Sequence, residues 1–198
     1  MSIKLRIASI WTPQFILTME LDRVSESTID CLDELLEKYA SELKATLREK
    51  PIIKGNIEER RKIMASAHNV RVKALIDILG YDKAIEVGRN ALFKVGLKLG
   101  REARERLGVG DSLHDLIMAA RVLYKVLGIE FEVNRSGEEL NIIVLKCSLA
   151  KYYTVETCGI LSAADEGVVQ GLNENIHMTF TQKMTEGYGE CIACLRCE

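Results

Sequence analysis

The hydrophobic period changes once along this chain, and that change constrains the fold more than any other feature. Up to Gly128 the apolar residues recur at spacings of three and four, the period of helices with one buried stripe. Beyond it, "IEFEVN" and "LNIIVLKC" flank "RSGEE", which reads as two strands joined around Gly137. Helices in the first two-thirds and strands in the last third predict an α+β fold, with N-terminal helices packed on a C-terminal antiparallel sheet. The 198 residues hold no internal repeat and are read as one domain. Residues 1–55 form an N-terminal segment and first helix, 56–128 the helical part, and 129–198 the sheet with a cysteine cluster.

The first clear helix is expected after Ser25-Glu26-Ser27, with Ile29, Leu32, Leu35, Leu36, Tyr39, Leu43 and Leu47 on one stripe, ended by Pro51 and Gly55. Asn56 caps a second helix, whose first turn carries Glu58 and Glu59 where the dipole favours acids. It runs to Leu79, and Gly80 stops it. A third covers 81–108 and contains Gly88, Gly96 and Gly100, each costing ~1 kcal/mol inside a helix. Such glycines serve tight helix packing or the close approach of a ligand. Asp111 or Ser112 caps a fourth helix, closed by Gly128, and a short helix follows Ser162. "NIHMTFTQK" then alternates, Ile176, Met178 and Phe180 facing one way and His177, Thr179 and Thr181 the other; "CIACL" is a candidate last strand.

Charge narrows the partners. Lys and Arg total 27 against 29 Asp and Glu, so no global basic field attracts nucleic acid or anionic membrane. No run reaches the ~20 apolar residues of a membrane helix. The stretch "IKLRIASIWTPQFILTME" is interrupted by Arg6 and Pro13 and does not read as a signal peptide. A cytoplasmic protein is expected, in which six cysteines are better read as metal ligands or redox thiols than as a disulfide framework.

Five of the six lie in the final third: Cys147, Cys158, Cys191, Cys194 and Cys197. The closing run "ECIACLRCE" has the spacing C-x2-C-x2-C, which starts the bacterial ferredoxin pattern but lacks its x3-C-P continuation. A fourth ligand would come from Cys147 or Cys158. A 4Fe-4S cluster takes four thiolates and fits the spacing best; zinc, with His177 as a fourth ligand, is the alternative. Thiols pinning the last strand, or reactive at a frayed end, are the plainer reading. Cys31 reads as a small core or boundary residue of the first helix.

No dinucleotide or phosphate loop, zinc-protease helix or nucleophile elbow is present. Of the histidines, His68 and His114 read as helix boundary residues, while His177 lies nearest in sequence to the cysteines and is the best candidate for acid–base work. Glu156 and Asp165 fall near Cys158, and acids beside a thiol raise its pKa unless a metal intervenes.

"VLKCSLAKYYTVETCGILSAADEGVVQGLNENIHMTFTQKMTEGYGEC" resembles the C-terminal half of the L-2-amino-thiazoline-4-carboxylic acid hydrolase-like family and, more distantly, the 4-vinyl reductase-type ligand-binding domain. Cys147, Cys158, Asp165 and the Gly187-x-x-x-Cys191 turn carry the likeness, and "YDKAIEVGRNALFKVGLKLGREARERLGVGD" extends it over about residues 56–195. The resemblance implies helices on an antiparallel sheet, a homodimer, and a small-molecule pocket between the layers, with the glycine-spaced helix as one wall. It also implies hydrolytic opening of a thiazoline ring at a C–N bond. Cys194 and Cys197 are additions beyond that pattern.

Two functions are therefore expected to compete. One is a cysteine-ligated metal module, iron–sulfur before zinc, serving redox or small-ligand binding. The alternative is a hydrolase opening a small cyclic substrate such as 2-amino-thiazoline-4-carboxylate, with Asp165 or His177 handling protons. A structural partner-binding protein is a third class.

Overall fold

A computed structural model of the protein describes residues 2–39, 51–136 and 139–197. Among these residues six α-helices precede or interrupt four strands: α1 (Ile3–Ile10), α2 (Gln14–Tyr39), α3 (Ile57–Leu79), α4 (Tyr81–Leu107), α5 (Leu113–Leu127), β1 (Ile129–Ser136), β2 (Glu139–Cys147), α6 (Val155–Leu172), β3 (Ile176–Gln182) and β4 (Cys191–Cys197). The strands form one antiparallel sheet in the order β1-β2-β4-β3. The α+β class expected from the change of period is the class observed.

Local chemistry sets most boundaries as the sequence predicts. The Asn56 side chain accepts from the N–H groups of Glu58 and Glu59, and Glu59 returns a bond to the Asn56 N–H, a capping box that starts α3. Ser112 rather than Asp111 caps α5. Gly128 ends that helix at φ 69°, the left-handed conformation that glycine reaches without strain.

Two boundaries differ. The segment before Ser25 is helical, as α1 and the first turns of α2. Ser25 does not cap, because its hydroxyl donates to Leu21 O at 2.7 Å, and that of Thr28 donates to Val24 O at 2.7 Å. Both therefore satisfy their own helix from within, and α2 passes through them. Leu43 and Leu47 of the expected stripe, and the turn at Gly137, lie outside the described residues. The last helix begins at Val155, capped by Thr154, and not after Ser162. Ser162 sits mid-helix with its hydroxyl donating to Gly159 O.

The core lies on one sheet face. Phe131, Ile142, Val144, Cys191, Ala193, Leu195, Ile176 and Met178 pack against α5 and α6. Helix α4 packs closely on α6, with α2 and α3 beside the pair. Here the glycines find their reason: a Cβ on Gly96 or Gly100 would collide with the carbonyl oxygens of Ala164 or Val168, and one on Gly167 or Gly171 with those of Phe93 or Leu97. The glycines of α4 meet helix α6 rather than forming the pocket wall; Leu99, Ala103 and Arg106 of the same helix line the cavity instead.

Candidate functional site

Between the helices and the sheet lies a cavity of about 140 Å³. Its walls come from α2 (Glu20, Val24, Thr28), α4, α5, the β2 end, α6 and the Lys183–Thr185 segment, and they are mostly apolar. That volume is close to the ~150 Å³ which, lined by aliphatic and aromatic side chains, takes a benzene-sized molecule. The polar groups reaching it are therefore the informative ones.

His68 is 1% exposed and bridges two elements. Its Nε2 lies 2.9 Å from Thr28 Oγ1, and its Nδ1 lies 2.8 Å from the Tyr153 hydroxyl. Because Thr28 already donates to Val24 O, its oxygen accepts from Nε2–H; Nδ1 then accepts from Tyr153 O–H. Burial, with a smaller push from Arg71, holds the imidazole down to about 3, so this chain of bonds is neutral at pH 7. Asn69, next on α3, donates to Tyr152 O at 2.8 Å and fixes the turn that leads into α6.

Asp165 opens on the cavity from α6. Burial, followed by the adjacent Glu166 carboxylate, pushes it up to about 7. Glu166 itself is 8% exposed but satisfied: Arg89 Nη2 of α4 donates to it at 2.6 Å, and the same guanidinium donates to Gly159 O at 2.7 Å. Arg89 thus neutralises one of two neighbouring acids and leaves the other to titrate.

Cys147, Cys158 and Cys191 all line the same cavity. Burial is the main cause that pushes each thiol up, Cys147 to about 11. The Met184 N–H donates to Cys191 Sγ at 3.2 Å. Lys183 is the cation at this end of the cavity; its Nζ lies 3.3 Å from Glu186 Oε1.

The structure brings together Asp165, Cys147, Cys158 and Cys191, and separates them from the rest of the expected set. Cys158 is in the first turn of α6, because that helix starts at Val155, earlier than the pattern suggests. His177 alternates with the buried Ile176 and Met178, so it lies on the opposite sheet face, paired in register with Arg196, and does not line the cavity. The closing run is strand β4, in register Val144↔Cys191, Asn141↔Cys194 and Ile176↔Cys197. Side chains alternate faces along a strand, and three residues span about 10 Å. Cys191 is buried on the core face, Cys194 falls on the outer face, and Cys197 is exposed beyond the core. Sulfurs sharing one iron or zinc need bonds of about 2.3 Å to it, which β4 does not allow for these three. Among the described residues no group of three or more His, Cys, Asp or Glu is placed to hold a metal ion.

The sequence gives no periodic signal for Tyr153 or Lys183 as site residues. The row Glu20, Val24, Thr28, spaced by four, was legible only once α2 was known to start at Gln14.

Helices closing an apolar chamber over one face of an antiparallel sheet define a class of α+β proteins. Within it, this chain belongs to the L-2-amino-thiazoline-4-carboxylic acid hydrolase family, which it matches over residues 60–195. No curated protein matches it. Among solved structures it is similar to a trafficking protein particle complex subunit 3 from Naegleria fowleri covalently bound to palmitic acid, at 14% identity and a TM-score of 0.55, covering 70% of this chain and 95% of that one. It is also similar to the phenol-responsive sensory domain of the transcription activator PoxR with phenol, at 13% identity and a TM-score of 0.48, covering 75% of this chain and 77% of that one. At such identity the first likeness concerns the fold. No helix among the described residues is long and apolar enough to cross a membrane.

Proposed function

We propose that the protein binds a small cyclic molecule in the cavity and that Asp165 exchanges a proton with it. The observation that carries this reading is a one-ring apolar chamber in which a carboxyl group titrating at about 7 stands beside neutral thiols. An apolar wall supplies affinity through burial, and one titratable group supplies selectivity for a ligand bearing a cationic or hydrogen-donating nitrogen. Titration calorimetry with 2-amino-thiazoline-4-carboxylate and with an uncharged ring of similar size tests it. Val24→Trp, which fills the chamber from α2, abolishes both affinities, whereas Asp165→Asn weakens only that of the amidine. Affinities that survive Val24→Trp would place the ligand elsewhere.

The hydrolase reading is favoured by the same pKa. A base near neutrality is matched to general acid–base work. Water adds to the amidine carbon while Asp165 takes its proton; the ring C–N bond then breaks, and the proton passes to the leaving nitrogen, which becomes a primary amine. Lys183 is the cation for the substrate carboxylate. Cys147, with a pKa of about 11, is about one part in ten thousand thiolate at pH 7, so water is the better nucleophile. Appearance of an amine on incubation with the thiazoline, lost in Asp165→Asn, supports turnover. Binding without amine release leaves a ligand-binding protein.

A cysteine-ligated iron–sulfur or zinc centre would require Cys194 to reach the face that carries Cys191, and Cys197 to close the roughly 20 Å that six residues span along β4. Iron and zinc analysis with an absorption spectrum of anaerobically prepared protein is its test, and broad absorption near ~400 nm would restore it.

A further inference from the structure

Six exposed large apolar side chains of the described residues follow one another between Ile3 and Met19. On α1, Ile3 is 79%, Ile7 58% and Ile10 77% exposed, and Trp11, Phe15 and Met19 continue the strip across the turn into α2. At 100° per residue, Ile3, Ile7 and Ile10 share one face of α1, and Trp11 follows as its extended C-cap residue. Leu5, fully buried, marks the opposite face, where α1 packs on the core. Exposed Lys4 and Arg6 border the apolar face on its two sides. Residues 2–19 contain these two cations and no acid. The first acid, Glu20, is already paired with Arg106 of α4.

We propose that α1 and the opening of α2 dock on an anionic lipid surface, with Ile3, Ile7, Ile10, Trp11 and Phe15 in the interface and Lys4 and Arg6 on the headgroups. An exposed apolar face with an aromatic at its end and cations along its borders is the pattern of a helix lying in a membrane interface. Charge decides against the other occupant of equal chemistry. A second copy in a two-fold contact would set Lys4 and Arg6 of one chain near those of the other, with no acid in the strip to relieve them. The near balance of charge over the whole chain conceals this local excess. Glu20, the next residue after Met19, lines the cavity. Docking goes beyond ligand binding and does not require it.

Trp11 is the only tryptophan, so its emission reports this strip alone. The expected result is a blue shift and co-sedimentation with phosphatidylcholine vesicles containing phosphatidylglycerol, and little of either with phosphatidylcholine alone. Lys4→Glu with Arg6→Glu lowers binding to the anionic vesicles by about tenfold or more. Ile7→Ser with Ile10→Ser lowers it while leaving the circular-dichroism melt unchanged, because both side chains stand in solvent. Two results would overturn the proposal. One is Trp11 emission that ignores vesicles. The other is emission that shifts with protein concentration in their absence, with sedimentation showing a dimer that Ile10→Glu dissociates; the strip would then be a self-association face. Either result leaves the calorimetric test of the cavity untouched.

Discussion

Asp165 and Glu166 are adjacent on α6, yet only Glu166 has a cation, Arg89 Nη2 at 2.6 Å. Asp165 faces the cavity and is pushed up to about 7 by burial and by that neighbour. A raised carboxyl pKa means that the folded protein binds the proton more tightly than the unfolded chain does. Its contribution to stability is full below the ordinary value near 4, declines as pH rises, and is gone above about 7. The linked change is of order 2–4 kcal/mol. Asp165→Asn is therefore expected to match the native protein near pH 4 and to exceed it in melting temperature at pH 8. A gap that does not widen with pH would show that Asp165 is solvated.

His68 runs the opposite way. Its pKa is lowered to about 3, so the unfolded chain binds the proton more tightly. Stability from this group is full above about 6.5 and is lost as pH falls towards 3. The two slopes oppose each other between pH 4 and 6.5, and only variants separate them. His68→Leu should lose the bonds to Thr28 and Tyr153, lowering stability at pH 7, but it should flatten the acid limb of the profile. Unfolding free energies from denaturant melts at several pH values provide the check; an unchanged acid limb would mean that His68 is not the buried neutral group.

Helix glycines divide by what faces them. At Gly96 a methyl group would meet the backbone of Ala164, which cannot swing aside. Gly96→Ala should cost about 2 kcal/mol or more by forcing α4 and α6 apart. Gly159, within α6, has nothing within 4 Å of an added Cβ and does not adopt a positive φ. Gly159→Ala should stabilise by about 0.5–1 kcal/mol, because alanine restricts only the unfolded chain. Opposite signs in chemical denaturation are expected; a Gly96→Ala protein as stable as the native one would mean that α4 and α6 pack more loosely than their glycines indicate.

These glycines also show what was legible in the sequence. Their cost inside a helix announced a close approach, but not whether backbone or ligand made it, because a gap in side-chain volume looks the same in either case. The period change at Gly128 and the Asn56 cap are local signals and located their elements well. Ser25 and Ser162 misled because a serine hydroxyl bonds equally well to a helix's own carbonyls as to its free N–H groups. The triple-cysteine spacing has a different meaning in a strand than in a loop. C-x2-C gathers thiols in a loop, whereas pairing of β4 with β2 and β3, a long-range event, alternates them. Cys147, Cys158 and Cys191 were singled out as thiols and Asp165 by its nearness to Cys158, and the four line one chamber. Tyr153 and Lys183 became visible only when the chain was folded.

The thiols themselves offer the last test. Cys197 is exposed, Cys194 half-buried on the outer sheet face, and Cys191 buried in the chamber. Alkylation needs thiolate and access together. Mass-spectrometric labelling at pH 8 should modify Cys197 first, with Cys147 and Cys191 slower by orders of magnitude, since burial withholds reagent and raises both pKa values. A ligand that fills the chamber should slow Cys147, Cys158 and Cys191 further and leave Cys197 unchanged. Cys194→Ser with Cys197→Ser should not alter that protection or the ligand affinity, because neither side chain lines the cavity. Equal rates for Cys191 and Cys197 would mean that the end of β4 leaves the sheet. In that state the three sulfurs are free to converge, and the closing cysteines would again be a candidate metal centre.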